Sequence, residues 1–123
     1  MVENRGREHH MGRLADAMRD EIGAILEGEL ADPRIGLATA SEVHLAPDGR
    51  SAHVFVTIAG DEQAIKETMR GLESAKGYIR HELADRLRLR HAPDIVFHVD
   101  RSEQYGGRIE QLLARMKKRN KGS

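Results

Sequence analysis

From about Gly12 the apolar residues recur with a helical period. Leu14, Met18, Ile22, Ile25 and Leu26 fall at i, i+4, i+8, i+11 and i+12, one stripe along a helix. The stretch should stop before Asp32-Pro33, because the residue preceding proline is pushed out of the helical region. Arg34-Ile35-Gly36 then reads as a turn. Residues 1–11 are polar, contain glycine and show no periodicity, so they read as a mobile tail, with His9-His10 solvated.

Two strands follow. Ala52, Val54, Val56 and Ile58 alternate with His53, Phe55 and Thr57, which predicts a strand over about 51–59 with one core face. In the preceding strand, about 37–46, Val43 and Leu45 share a face but Ala38 and Ala40 have the opposite parity. A straight strand cannot bury both pairs, so a bulge or bend is expected near Ser41-Glu42. Pairing Leu45 with Ala52 and Val43 with Val54 requires a loop of two or four residues. A two-residue type I′ turn at Asp48-Gly49 satisfies that register.

Residues 61–90 read as helix, with Asp61 as N-cap. Ile65, Met69 and Leu72 mark one buried stripe and Ile79, Leu83 and Leu87 another. Thirty residues of straight helix would span ~45 Å, whereas a domain of this size has a radius of gyration of ~14 Å. A bend is therefore expected, at Gly71 or Gly77. Pro93 ends this region, and Ile95, Phe97 and Val99 alternate as a third strand. A last amphipathic helix begins at Ser102-Glu103 and carries Tyr105, Ile109, Leu112, Leu113 and Met116 on its apolar side. Residues 117–123 form a basic polar tail. The order is α-β-β-α-α-β-α, with a three-stranded sheet whose face must be buried under helices.

Length and composition narrow the function. At 123 residues the chain is one domain, 12–116, between an N-terminal tail at 1–11 and a C-terminal tail at 117–123. Only Phe55, Tyr78, Phe97 and Tyr105 are aromatic, which disfavours rows of base-stacking platforms. The absence of cysteine removes disulfides, thiolate metal sites and cysteine nucleophiles, and it suits a reducing cytoplasm. No apolar run marks a signal peptide or a membrane span. No nucleophile elbow, zinc-protease helix, P-loop or dinucleotide fingerprint is found. His44 and His53 would face each other across the hairpin, but a metal needs a third ligand. A surface histidine pair is the better reading, and neither metal nor cofactor is expected.

Charge is balanced in sum, with 20 bases and 20 acids, but not in distribution. Residues 20–32 hold five acids (Asp20, Glu21, Glu27, Glu29, Asp32) and no base. Residues 76–91 hold five bases (Lys76, Arg80, Arg86, Arg88, Arg90) against two acids, and 115–121 five bases with no acid. Arginine outnumbers lysine fifteen to five, and its planar fork suits phosphate. A glycine bend beside Lys76 and Arg80 would let a ribose-phosphate backbone approach closely, the logic of the KH glycine loop. Here Ser74-Ala75-Lys76-Gly77 lacks the first glycine of that loop.

The order of elements and the motifs together resemble the ribosome-binding factor A family. The resemblance covers roughly residues 13–115. It rests on Arg13-Leu14-Ala15, Asp32-Pro33-Arg34-Ile35-Gly36, Leu45-Ala46-Pro47-Asp48 and the Ala52–Thr57 strand. It continues through Ala75-Lys76-Gly77-Tyr78-Ile79-Arg80-His81-Glu82-Leu83, Arg86-Leu87-Arg88-Leu89-Arg90, Pro93 and Gly107-Arg108-Ile109. The chain differs at its histidine-containing N-terminal tail and its short C-terminal extension.

The resemblance implies an α+β, type II KH-like fold, α-β-β-α-α-β plus a C-terminal helix, with helices on one sheet face. An Ala-x-Gly bend at Ala75 and Gly77 would separate helices two and three. It implies a non-catalytic protein that binds 16S ribosomal RNA of the free 30S subunit near the 5′-end helix, and with nothing in the sequence suggesting an obligate interface a cytoplasmic monomer is expected. The role implied is late maturation, rRNA processing and cold adaptation, with ribosomal proteins as further partners. Lys76, Gly77, Arg80, Arg86, Arg88 and Arg90 would meet RNA, with Lys117, Lys118 and Arg119 as a second contact. The acidic first helix would face away from RNA. The residues leave open two other readings, a KH-like module for other single-stranded RNA and a protein scaffold using the acidic helix.

Overall fold

A computed structural model describes residues 2–101, with side chains from His10 onward. Its elements are α1 (Val2–Gly28), β1 (Ala38–Leu45), β2 (Ser51–Ile58), α2 (Glu62–Arg86) and β3 (Asp94–Val99). The helix expected from Ser102 and the tail at 117–123 lie outside the described residues.

The predicted stripe builds α1. Met18, Ile22 and Ile25 are fully buried, and Ala15 and Leu26 nearly so. The helix starts at Val2, however, so most of the stretch expected as a tail is helical. Periodicity cannot detect this stretch, because its sequence carries no regular apolar repeat. Residues 2–11 contain no proline, and extending an existing helix adds a hydrogen bond per residue without a new nucleus. The helix closes with the Glu29 N–H donating to Ile25 O at 3.0 Å, ahead of Pro33 as expected.

The sheet has strand order β1-β2-β3. β1 and β2 are antiparallel, with Leu45 opposite Ala52 and Val43 opposite Val54. The register slips between Ala40 and Glu42, leaving Ser41 as the extra residue. That bulge returns Ala38 and Ala40 to the core face, opposite Ile58 and Val56. The hairpin loop is the four-residue solution, not the type I′ turn. Gly49 N–H donates to Ala46 O at 2.8 Å and Ala46 N–H to Ser51 O at 2.9 Å, so the tight turn spans Ala46–Gly49. Pro47 is its second residue, where the fixed negative φ of proline belongs. Only Gly49 in this loop has positive φ, at 72°, whereas a type I′ turn needs two such residues.

β3 joins β2 in parallel, with Val54 beside Phe97 and Val56 beside Val99. The crossover is α2, begun by the predicted N-cap: Asp61 Oδ1 accepts from Ala64 N–H at 2.8 Å. α2 runs as one helix through Gly77 to Arg86, so no break at Ala75–Gly77 divides it into the two helices expected. Gly77 weakens a helix interior, but the buried Leu72, Ile79 and Leu83 keep one side of α2 on the core and hold it in register. The glycine that contacts another segment is Gly71, where Ile35 lies against the helix. Both helices share a single apolar core with one face of the sheet.

Candidate nucleic-acid interface

α2 stops at Arg86, short of the expected residue 90. Leu89 N–H donates to Ala84 O at 2.8 Å and Arg88 N–H to Asp85 O at 3.4 Å. These are the two bonds of a Schellman close, whose left-handed position usually holds glycine. Arg88 occupies it, with φ 52°. Leu89 folds back on the core, while Arg88, Arg90 and His91 are exposed. Among the described residues neither Arg88 nor Arg90 has a carboxylate partner.

The other expected cations are already engaged. Lys76 Nζ lies 2.7 Å from Glu73, one turn earlier on α2, and 6.0 Å from the centre of the Phe97 ring. Arg80 pairs with Asp94 at 3.4 Å and donates to the Ala92 carbonyl at 3.2 Å, bracing the α2–β3 loop. Ala75 packs on the core, and Gly77 lies exposed with open space where a Cβ would stand. Lys117, Lys118 and Arg119 lie outside the described residues.

Arg86 is the centre of an ionic network. Its guanidinium donates to Glu21 at 3.3 Å, to Glu82 at 3.1 Å and to Glu29, and its side chain is only 25% exposed. Tyr78 Oη adds a hydrogen bond to Glu29 at 3.1 Å. The hydrogen bond from Arg86, aided by the one from Tyr78, holds the Glu29 carboxyl below the usual carboxylate range. Glu29, with Glu82 and Glu21, pushes the guanidinium still further from deprotonation. Two acids of the supposedly outward-facing α1 region thus serve α2. Of the remaining acids, Asp32 bonds Arg34 and Asp20 lies 3.6 Å from Arg19. Opposite charges clustered apart in sequence neutralise one another across the α1–α2 contact.

Several cations without a carboxylate partner among the described residues lie at one end of the sheet. Asp94 N–H donates to Arg50 O at 2.9 Å, so the hairpin loop and the α2–β3 loop are neighbours. The N-terminal half of α1 meets both loops, and His10, Asp48 and Leu89 line one groove. Arg13 and Arg50 are exposed at this end without a carboxylate partner among the described residues, and sequence reasoning missed both. Arg50 could have been found from the hairpin register, which puts it beside the turn. Arg13 could not, because its placement depends on how far α1 reaches.

The opposite sheet face carries rings. His44 and His53 are register partners as expected, but their side chains diverge. His44 Nε2 lies 3.1 Å from Glu42 Oε2, while His53 Nδ1 lies 2.8 Å from His98 Nε2. Phe55 is fully buried, stacked on His98 with ring centres 4.8 Å apart. Burial and the nearby His53 disfavour the charged form of His98, lowering its pKa. Among the described residues no group of three histidine or carboxylate side chains is gathered as a metal would need. No described helix is long and apolar enough to cross a membrane.

The fold and its basic end define a small α+β domain with one helix-covered sheet face and a cationic loop cluster. Sequence and structural comparisons specify it further. The family model of ribosome-binding factor A matches residues 10–113, and the chain belongs to that family. Ribosome-binding factor A of Koribacter versatilis is 57% identical over 122 residues, covering 99% of both chains. That of Desulfitobacterium hafniense is 43% identical over 110 residues, covering 89% of this chain and 88% of its own. The crystal structure of ribosome-binding factor A from Thermus thermophilus aligns with TM-score 0.64 and 27% identity, over 72% of this chain and 94% of that one. A homology model of the Thermus thermophilus factor, fitted into a cryo-EM map of its complex with the 30S subunit, aligns with TM-score 0.56 and 32% identity. It covers 76% of this chain and 94% of that one.

Proposed function

We propose that this protein binds the free 30S subunit through 16S ribosomal RNA near the 5′-end helix. There it assists late maturation, including rRNA processing and growth in the cold. The action is occupancy: the factor holds an immature RNA conformation until maturation releases it, and no bond is made or broken. The cytoplasm is its compartment, a monomer its working state, and ribosomal proteins are its further neighbours. A family member has been fitted into a 30S complex, which supports the partner.

The single observation that carries the choice of surface is the pair Arg88 and Arg90, exposed and unpartnered among the described residues. Arg80 and Lys76 flank them, with charges already partly neutralised, and Lys117, Lys118 and Arg119 supply the second contact. Arg86 contributes by holding α2 to α1. Gly77 offers an exposed, side-chain-free stretch of helix for a sugar-phosphate backbone.

The test is binding of Arg88→Glu/Arg90→Glu to purified 30S subunits across a salt series. Each arginine–phosphate pair removed should reduce the slope of log K against log salt by about 0.7–0.9, so the double variant should lose about 1.4–1.8. Unchanged affinity and slope would place the interface elsewhere.

A further inference from the structure

Between α1, the hairpin loop and the α2–β3 loop lies a groove of about 200 Å³. Its walls are apolar: Met11, Leu14 and Met18 from α1, Leu45 from β1, and Leu89 and Pro93 from the last loop. An open apolar slot at a protein surface calls for an occupant, and the surrounding charge selects which. Arg90 stands between two residues of the wall, Leu89 and His91, and Arg88 precedes them. Arg50 follows Gly49, another wall residue, and His10 closes the α1 side. The one acid in the lining is Asp48. These arginines do not line the groove, but each stands within a residue of one that does, so their charge draws a polyanion to it while the apolar walls take something flat. A nucleotide has that division of chemistry.

Resting on the RNA reading above, we propose that the groove receives one unstacked nucleobase of the bound RNA while the arginines hold its flanking phosphates. Flexible thioether and aliphatic side chains can close on the faces of a base without aromatic platforms. The chain's poverty in aromatic residues is therefore no obstacle.

Asp48 gives the groove a preference. Its Oδ1 accepts from the Arg50 N–H at 3.0 Å, fixing the carboxylate at the groove edge. Its Oδ2 has no hydrogen bond among the described residues. A carboxylate only accepts, so it favours a base edge bearing an exocyclic amino group. Guanine, adenine and cytosine have one. Uracil instead presents carbonyl oxygens on both sides of its single N–H, which the carboxylate repels.

The strained conformation of Arg88 supports the same placement. Its left-handed backbone would suit glycine, yet an arginine stands there beside the wall of the groove. Unfavourable conformations that persist at a surface cluster at binding sites.

The test has two arms, both on the full chain. In the first, methyl NMR of Met11, Met18, Leu14 and Leu89 is followed while GMP, AMP, CMP, UMP or inorganic phosphate is added. Ring-current shifts with the three amino-bearing nucleotides, weaker with UMP and absent with phosphate, are expected. Equal shifts with phosphate, or none with any nucleotide, overturn the proposal.

In the second arm, Met11→Trp fills the groove and its 30S binding is compared with that of Arg88→Glu/Arg90→Glu. The groove variant should bind about tenfold more weakly with an unchanged salt slope, while the arginine variant loses slope. If only the arginine variant is impaired, the groove assignment fails and the RNA surface stands. If neither is impaired, the RNA surface itself fails. If Met11→Trp weakens binding but nucleotides leave the methyls unmoved, a protein segment occupies the groove and the proposal is wrong.

Discussion

A Cβ placed on Gly71 would stand 2.5 Å from Cγ1 of Ile35, a distance that real side chains do not tolerate. The loop after α1 is seated on α2 at this point and fastened on both sides. Gly36 N–H donates to Thr68 Oγ1 at 3.2 Å, and Arg34 Nη2 donates to Ser74 Oγ at 3.0 Å. Gly77, six residues further along, meets nothing within 4 Å. The two helical glycines should therefore respond oppositely to alanine. Gly71→Ala should destabilise by roughly 1–3 kcal/mol through overpacking. Gly77→Ala should stabilise by about 0.5–1 kcal/mol, the usual gain in a helix interior. Urea denaturation of both variants decides it. A weakened 30S affinity in the more stable Gly77→Ala variant would further support close backbone approach there.

Arg88→Gly should raise stability by about 0.5–1 kcal/mol, because the left-handed cap position costs arginine what it does not cost glycine. The same change removes a cation from the proposed RNA surface. Thermal unfolding and 30S binding measured together should move in opposite directions. A destabilised variant would show that the Arg88 side chain makes interactions that outweigh its backbone strain.

Arg86 separates a structural arginine from an interfacial one. Arg86→Glu adds a fourth carboxylate beside Glu21, Glu29 and Glu82, so its thermal midpoint should fall well below that of Arg90→Glu. Added salt should narrow the gap, since the network is partly exposed and screened. Equal midpoints would mean that the network contributes nothing to holding α1 on α2.

Acid should weaken the α1–β1 connection through a named group. The hydrogen bond from the Arg34 side chain, then that from the Arg34 N–H, lowers the Asp32 carboxyl from 3.8 to about 2. A carboxyl depressed in the folded state contributes its stability fully above the unfolded value and loses it as pH falls through the folded one. The loss should therefore run from about pH 4 down to about pH 2 and be missing in Asp32→Asn. Carboxyl NMR should give a midpoint near the lower figure, and a midpoint near 3.8 would mean the pair is not formed in solution.

What the sequence made legible was whatever depends on near neighbours. The parity conflict between Ala38/Ala40 and Val43/Leu45 located the bulge at Ser41, and facing parities located the hairpin register. Asp61 was readable as a cap because its partner stands three residues on. The hairpin connection departs from the expected two-residue turn because Pro47, fixed at negative φ, is itself a turn residue. The continuity of α2 has a similar origin: its two glycines look alike locally, and only Ile35 distinguishes Gly71. At the candidate interface, the cluster of arginines was visible but not its division of labour. Nothing local to Arg86 announces Glu21 and Glu29, which reach it only after α1 and α2 pack. Arg13 was out of reach for the same reason, since it comes to the hairpin end of β1 only once α1 packs on the sheet.

The parallel pairing of β2 with β3 has a consequence for the order of assembly. The β1–β2 hairpin closes through a loop of a few residues, whereas β3 reaches β2 only after the whole of α2 has folded back across the sheet. Long-range closure of this kind is slow. Stopped-flow refolding should find the Val43–Val54 pairing formed in the transition state and the Val54–Phe97 pairing formed after it. Newly made chains would then pass through a stage in which β2 presents an unpaired edge, with the strand that protects it still to arrive.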